Sequence, residues 1–130
     1  MGVKSTEIIR RIVTLAANED ANDIPVFIAE KALRVTAITL TAEASVAAAD
    51  TSYSTFVFKT GSSTIATYAN GPVSGGTSLV VKTPKALTVT ATEVAKDAVV
   101  FIDCSHASSG LAAGRVLVEI TVSALSAAVN

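Results

Sequence analysis

From Leu33 onward the chain alternates apolar and polar residues with a period of two. The clearest example is the segment from Arg115 to Ser123, where four apolar residues on one parity would face a core: Val116, Val118, Ile120 and Val122. Polar residues occupy most of the other parity. No convincing period of 3.6 is present, so this part of the chain is predicted to be half-buried antiparallel β-strands.

Two strand segments depart from simple alternation. Val99 to Cys104 is apolar on both parities, so this strand should lie centrally or be covered by another subunit. Between Leu33 and Ala42 the apolar phase changes, and a β-bulge near Ala37 or Ile38 would reconcile its two halves.

Four stretches rich in Asn, Asp, Ser, Ala or Gly separate these strands, and each predicts a connecting loop. They are residues 18–23, 45–52, 70–77 and 105–114. Pro25 and Pro84 stand near a strand start or edge, where a missing N–H does least harm to a ladder.

The N-terminal segment fits two structures. Ile8, Ile9, Ile12, Val13 and Ala16 would form the apolar stripe of a helix, which Ser5 or Thr6 could cap. The same residues suit a two-sided strand, and their β-branched side chains favour it. We expect an extended N-terminal arm, or a strand and loop, over residues 1–23, a sandwich domain over residues 24–123 and a tail over residues 124–130.

An internal repeat relates two parts of the chain. Residues 26–37 align with residues 80–91, and the pattern Lys-Ala-Leu-x-Val-Thr-Ala recurs after an offset of 54 positions. A looser echo follows, in which residues 46–50 lead into one strand and residues 94–97 into another. Two halves with one apolar face each would pair as the two sides of a sandwich, although Ala/Thr/Val-rich strands also match by chance.

Composition narrows the class of protein. Half of the 130 residues are hydrophobic, yet the chain has four Phe, two Tyr and no Trp, so its core must be mostly aliphatic. A formal net charge of −1 without any basic cluster argues against a nucleic-acid partner. Apolar runs are too short for a membrane-spanning helix, no secretory signal is evident, and the single cysteine excludes an intramolecular disulfide.

Candidate chemistry is weak throughout. The sequence Asp103-Cys104-Ser105-His106 holds nucleophilic residue types, but neighbouring strand residues point to opposite faces. The acidic turn at residues 19–23 lacks the spacing of a calcium loop, and the glycines of residues 70–77 have no basic residue or helix to hold a phosphate. We therefore expect no enzyme activity, no metal and no cofactor, while Tyr53 and Tyr68 remain the candidates for packing against a sugar.

Four segments carry a resemblance to a known family: residues 26–40, 46–56, 85–89 and 94–97. Over residues 25–122 the chain resembles the small β-sandwich proteins that serve tailed phages as head decoration or cement proteins. It differs at Lys96-Asp97, where those relatives often carry Gly-Asp. The resemblance implies an all-β antiparallel sandwich, jelly-roll-like, and attachment to the outer surface of a capsid.

The resemblance also implies partners, namely the major capsid protein and further copies of the chain in a homodimer or homotrimer. It places the protein on the virion and, during assembly, in the host cytoplasm, with no cofactor and no membrane. We expect the capsid or subunit contact in the N-terminal arm, at Ile8, Ile9, Ile12, Val13 and Leu15, because these residues lie outside the repeat. The alternatives are an adhesive or carbohydrate-binding β-sandwich domain, or the base of a head fibre.

Overall fold

The computed structural model describes residues 6–15, 21–45, 53–69, 78–90, 92–107 and 114–125. The described residues form nine β-strands and no helix. The strands are β1 (Thr6–Leu15), β2 (Ala21–Ile28), β3 (Leu33–Ala42), β4 (Tyr53–Thr60), β5 (Ser63–Ala69), β6 (Lys85–Leu87), β7 (Thr92–Val94), β8 (Val99–Ala107) and β9 (Gly114–Ala124).

These strands form two antiparallel sheets that pack face to face. Sheet A has the order β1-β9-β3-β6, with β7 also pairing with β3, and sheet B has the order β2-β8-β4-β5. Because β6 and β7 pair with successive stretches of β3, together they occupy one strand position. Two four-stranded sheets in this order are a jelly roll, so the predicted all-β, jelly-roll-like sandwich is confirmed.

The core lies between the sheets and follows the alternation of the sequence. The four inward residues predicted on β9 are at most 2% exposed. β8 lies centrally in sheet B, between β2 and β4, as its two apolar faces predicted. Its inward residues Val100, Ile102 and Cys104 are buried, whereas Val99 on the outer face is 37% exposed.

The phase change in β3 is a bulge. Val35 pairs with Val122 and Ala37 with Thr121, so Thr36 is the extra residue of the longer strand. The Thr36 hydroxyl donates a hydrogen bond to the carbonyl oxygen of Thr121 at 3.3 Å, which occupies its side chain outside the core. The predicted bulge is therefore confirmed one residue before the expected position.

The expectation that the two repeat halves form the two sides of the sandwich is wrong. Each sheet contains strands from both halves, and the corresponding strands are hydrogen-bonded neighbours: β3 pairs with β6 and β7, and β4 pairs with β8. The two copies also differ in burial, since Val26 and Phe27 are buried while the aligned Val80 and Val81 are 56% and 40% exposed. Because corresponding strands pair within a sheet, the apolar faces of both repeat halves lie in one shared core.

The N-terminal segment is a strand, as its β-branched residues favoured, but it does not extend away from the sandwich as an arm. β1 pairs with β9 along its whole length, from Thr6 opposite Ser123 to Leu15 opposite Gly114. Val13 is buried and Ile9 packs against the core, so this strand contributes to the interior although it lies outside the repeat. β1 is an edge strand of sheet A.

Candidate interaction surface

The outer face of sheet A is the surface that the strands of this sheet turn away from the core. β1 contributes Ile8 and Ile12, whose exposed fractions are 45% and 65%. Ile12 lies directly opposite Leu117 of β9, which in turn lies opposite Thr41 of β3. A shallow, mostly apolar depression therefore runs across three strands of this face.

Arginine and glutamate side chains compensate one another on this face. Arg10 Nε lies 2.8 Å from Glu119 Oε2, which joins β1 to β9. Arg34 Nη2 lies 2.8 Å from Glu93 Oε2, which joins β3 to β7. These pairs are exposed and contribute little to folding, but in each of them the two charges compensate one another. Lys82, which also lines the depression, forms no ion pair with another described residue.

The pair Glu43–Arg115 closes the end of the β3–β9 ladder. Glu43 Oε1 accepts from the Arg115 backbone N–H at 2.9 Å, and Oε2 accepts from Nε and Nη2 at 3.1 and 3.0 Å. The backbone and side-chain hydrogen bonds from Arg115 lower the pKa of the Glu43 carboxyl from its ordinary value. The Glu43 carboxylate is thus held in its charged form beside the apolar depression, with both of its oxygens hydrogen-bonded to Arg115.

The structure divides the five residues predicted to contact a partner. Ile8 and Ile12 point outward and are exposed, so they are available to a partner. Val13 is buried and Ile9 is partly buried, because both face the second sheet. The side chain of Leu15 lies outside the described residues.

Sequence reasoning missed the other half of this surface. Leu117 and the paired arginines lie on outward positions of strands whose inward positions carry the alternating apolar residues that predict the core. Alternation identifies the outward face but does not show whether that face contacts solvent or a partner. The signal that could have identified it is the proximity of Ile12, Leu117 and Thr41, which depends on register between strands far apart in sequence.

A second group of exposed apolar side chains lies on sheet B. Ile28 of β2 pairs with Val99 of β8, and their exposed fractions are 61% and 37%. This group offers less width than the face of sheet A, because the neighbouring outward residues of β8 and β4 include the ion pair Lys59–Asp103, with Nζ and Oδ2 3.6 Å apart. Ile28 is therefore a suitable control for Ile12 of β1, because it is similarly exposed but lies on the other sheet.

The residues considered for chemistry do not converge on a reactive centre. Cys104 faces the core and Ser105 the exterior, as alternation along β8 requires. Asp103 Oδ1 accepts a hydrogen bond of 2.8 Å from the backbone N–H of Asp23, an interaction that fixes the start of β2. Within the described ranges, no three His, Cys, Asp or Glu side chains gather in a way that could hold a metal, and no helix could cross a membrane.

The prediction that Tyr68 could pack against a sugar is wrong. Tyr68 is 4% exposed and its ring packs against Phe56 with a centroid distance of 5.7 Å, so it belongs to the core and offers no platform to a sugar. Burial raises the pKa of the Tyr68 hydroxyl to about 12. Tyr53 is half-buried at the start of β4.

Two of the predicted loops and the predicted tail lie wholly or mostly outside the described residues. Residues 70–77 lie outside the described residues, as do most of residues 105–114 and of the tail after Val122. Ser105 to Ala107 continue β8, and Ser123 and Ala124 complete β9. Comparison with protein-family models, with curated proteins and with solved structures finds no match to this chain.

Proposed function

We propose that this chain is a structural protein that binds the outer surface of a tailed-phage capsid and stabilises the shell. The observation that carries the proposal is the outer face of sheet A, where two exposed isoleucines lie among arginines already paired with glutamates. The resemblance of residues 25–122 to decoration proteins supplies the class of partner, the major capsid protein.

This face has the properties of a docking surface rather than of a binding pocket. Burying an unpaired charge is costly, whereas the pairs Arg10–Glu119 and Arg115–Glu43 enter an interface already compensated. Ile8, Ile12 and Leu117 would supply the apolar centre that stable interfaces share. Such a surface can hold a partner by shape and apolar contact without a cofactor and without turnover.

The adhesive or carbohydrate-binding alternative has less support. Sugar rings pack against exposed aromatic faces, and the burial of Tyr68 removes one of the two tyrosines considered for that role. A head-fibre base remains a variant of the capsid proposal, because it requires the same attachment to the shell.

Co-sedimentation with expanded capsids, from the phage or prophage whose genome encodes this chain, tests the proposal. We expect the wild-type chain to pellet with capsids, and Ile12→Glu to weaken binding by about tenfold or more because it places a charge in the apolar centre. Ile28→Glu is the matched control: Ile28 is as exposed as Ile12, at 61% against 65%, but lies on sheet B.

Two outcomes would contradict the proposal. The first is a wild-type chain that stays in the supernatant at every capsid concentration. The second is equal loss of binding in Ile12→Glu and Ile28→Glu, which would place the contact elsewhere or attribute the loss to a general change of charge.

A further inference from the structure

β1 leaves one edge of sheet A open. Within the described part of the chain it pairs with β9 on one side and with no strand on the other. Alternate residues of an edge strand direct their N–H and C=O groups away from the sheet, so a ten-residue strand presents a long row of groups able to accept another strand.

The inward positions of this edge carry two opposite charges. Glu7 and Arg11 lie on the same face of β1, on either side of Ile9, and both are exposed. They line an open cleft of about 350 Å³ between the edges of the two sheets, together with Phe27, Ile28, Ala29, Glu30, Lys31 and Leu33. Neither forms an ion pair with another described residue, and Arg11 Nη1 donates to the carbonyl oxygen of Arg10 at 3.0 Å.

Inward-pointing charges on an edge strand normally discourage pairing with other strands. Here their spacing makes the edge complementary to itself. If two copies of β1 pair antiparallel with the two-fold axis at Ile9, Glu7 of each copy lies directly opposite Arg11 of the other. Oppositely charged residues placed opposite each other stabilise a strand pair, and the symmetry supplies this contact twice.

Neighbouring registers lose this complementarity. Moving the axis to Arg10 places Arg10 opposite its own copy and Glu7 opposite the buried Val13. Moving it to Ile8 places Glu7 opposite Ile9. An axis midway between two residues would set inward side chains opposite outward ones, so the pleat excludes it. Glu7 and Arg11 therefore favour one pairing register between two copies of β1, rather than preventing the strands from pairing in every register.

We infer that the chain forms a two-fold dimer in which the β1 strands of two copies pair antiparallel about Ile9, with Glu7 and Arg11 matched across the axis. The two A sheets then form one continuous sheet, on whose outer face Ile8 of each copy lies opposite Arg10 of the other and Ile12 lies opposite Thr6. This inference does not depend on capsid binding, because it uses only the edge of β1 and can be tested on the isolated protein.

Charge exchange tests the pairing directly. We expect sedimentation equilibrium to give a dimer for the wild-type chain, and Glu7→Arg and Arg11→Glu each to raise the dimer dissociation constant by roughly tenfold or more, since each creates two like-charge contacts. The double variant Glu7→Arg/Arg11→Glu should return to within about threefold of wild type. Lys96→Glu, an exposed charge in the turn before β8, is the control and should change nothing.

A cysteine at the axis tests the register. Ile9→Cys should form a disulfide-linked dimer under mild oxidation, because Cα atoms directly opposite in an antiparallel pair lie within the roughly 4.4–6.8 Å that a disulfide spans. Arg10→Cys should not, because in this register position 10 faces Ile8. The native Cys104 is buried and serves as the background in both variants.

A wild-type monomer at about 100 µM, a range in which a specific dimer should assemble, would overturn the inference. So would a charge-exchanged double variant no better than its single variants, or a trimer that Glu7→Arg leaves intact. Linkage at position 10 but not at position 9 would overturn the register. Glu7 and Arg11 are exposed, so their substitution should leave the fold intact, and circular dichroism of each variant checks this.

Discussion

The turn between β7 and β8 shows how single residues decide local structure. Asp97 has φ 71°, in the left-handed region, and its N–H donates to the Ala29 carbonyl oxygen at 2.7 Å. Ala29 in turn donates to the Ala98 carbonyl oxygen at 2.9 Å, which ties this turn to the end of β2. Lys96 has no positive φ, so its side chain creates no backbone strain at this position.

Substitution of Asp97 tests this explanation of the turn. Asp97→Gly should keep or slightly raise stability, because glycine adopts positive φ without steric cost. Asp97→Val should lower the free energy of unfolding by about 1–2 kcal/mol, the cost of the left-handed conformation for an L-residue. Urea denaturation measures both, with Lys96→Ala as a control for loss of the exposed ion pair. Equal stability of the glycine and valine variants would refute the account.

Tyr68 predicts a dependence of stability on alkaline pH. Burial raises its pKa from 10.0 to about 12, so the folded state binds the hydroxyl proton more tightly than the unfolded state does. Its contribution to stability is complete below pH 10 and is lost as the pH rises from 10 through about 12. Tyr68→Phe should remove this part of the alkaline decline.

Tyrosinate absorbance measures the same shift directly. The chain has two tyrosines, so in the variant Tyr53→Phe the signal belongs to Tyr68 alone. We expect a midpoint near 12 while the protein stays folded. A midpoint near 10 in the folded protein would show that the Tyr68 hydroxyl is in contact with solvent.

At the scale of elements, alternation along the sequence predicted strands, but it did not predict which strands pair with each other in a sheet. The pattern of β9 and the phase change of β3 identified a core strand and a bulge, because both are written in consecutive residues. Strand order is set by contacts between segments distant in sequence. The repeat therefore indicated two related halves without indicating that corresponding strands pair with each other.

β1 is the element that the sequence described least well. Its apolar residues suit a helix, an arm or a strand, because isoleucines at positions 8, 9 and 12 satisfy several periods at once. Pairing with β9 decides among them, since it hydrogen-bonds alternate residues along the whole strand and buries Val13. The predicted contact residues were consequently divided between the core and the outer face.

Adjacent residues of β1 test whether it belongs to the sandwich. Val13→Ala should lower the free energy of unfolding by about 1.5–2.5 kcal/mol, because it removes buried methyl groups and leaves a cavity. Ile12→Ala should change it by less than about 0.5 kcal/mol, because Ile12 is largely exposed. Urea denaturation of the two variants distinguishes a packed strand from a detached arm, for which both changes would be negligible.

At the scale of the whole molecule, the residues that stabilise the jelly roll lie in its core, whereas the contacts proposed here use its outer face and one sheet edge. The two sheets bury a mostly aliphatic core without Trp, and the chain's single cysteine, Cys104, is buried as a free thiol. On sheet A the compensated charges suit a broad partner, and the edge of β1 suits a second copy of the chain. A dimer joined at that edge would present twice the apolar face to one shell.

Cryo-electron microscopy of capsids with and without the chain, from the phage or prophage that encodes it, tests the capsid assignment most directly. The account predicts added density on the outside of the shell at symmetry-related positions, into which the jelly roll fits with Ile12 and Leu117 against the capsid protein. A shell that carries no added density at saturating concentrations of the chain, or density that contacts the shell through sheet B alone, would contradict it.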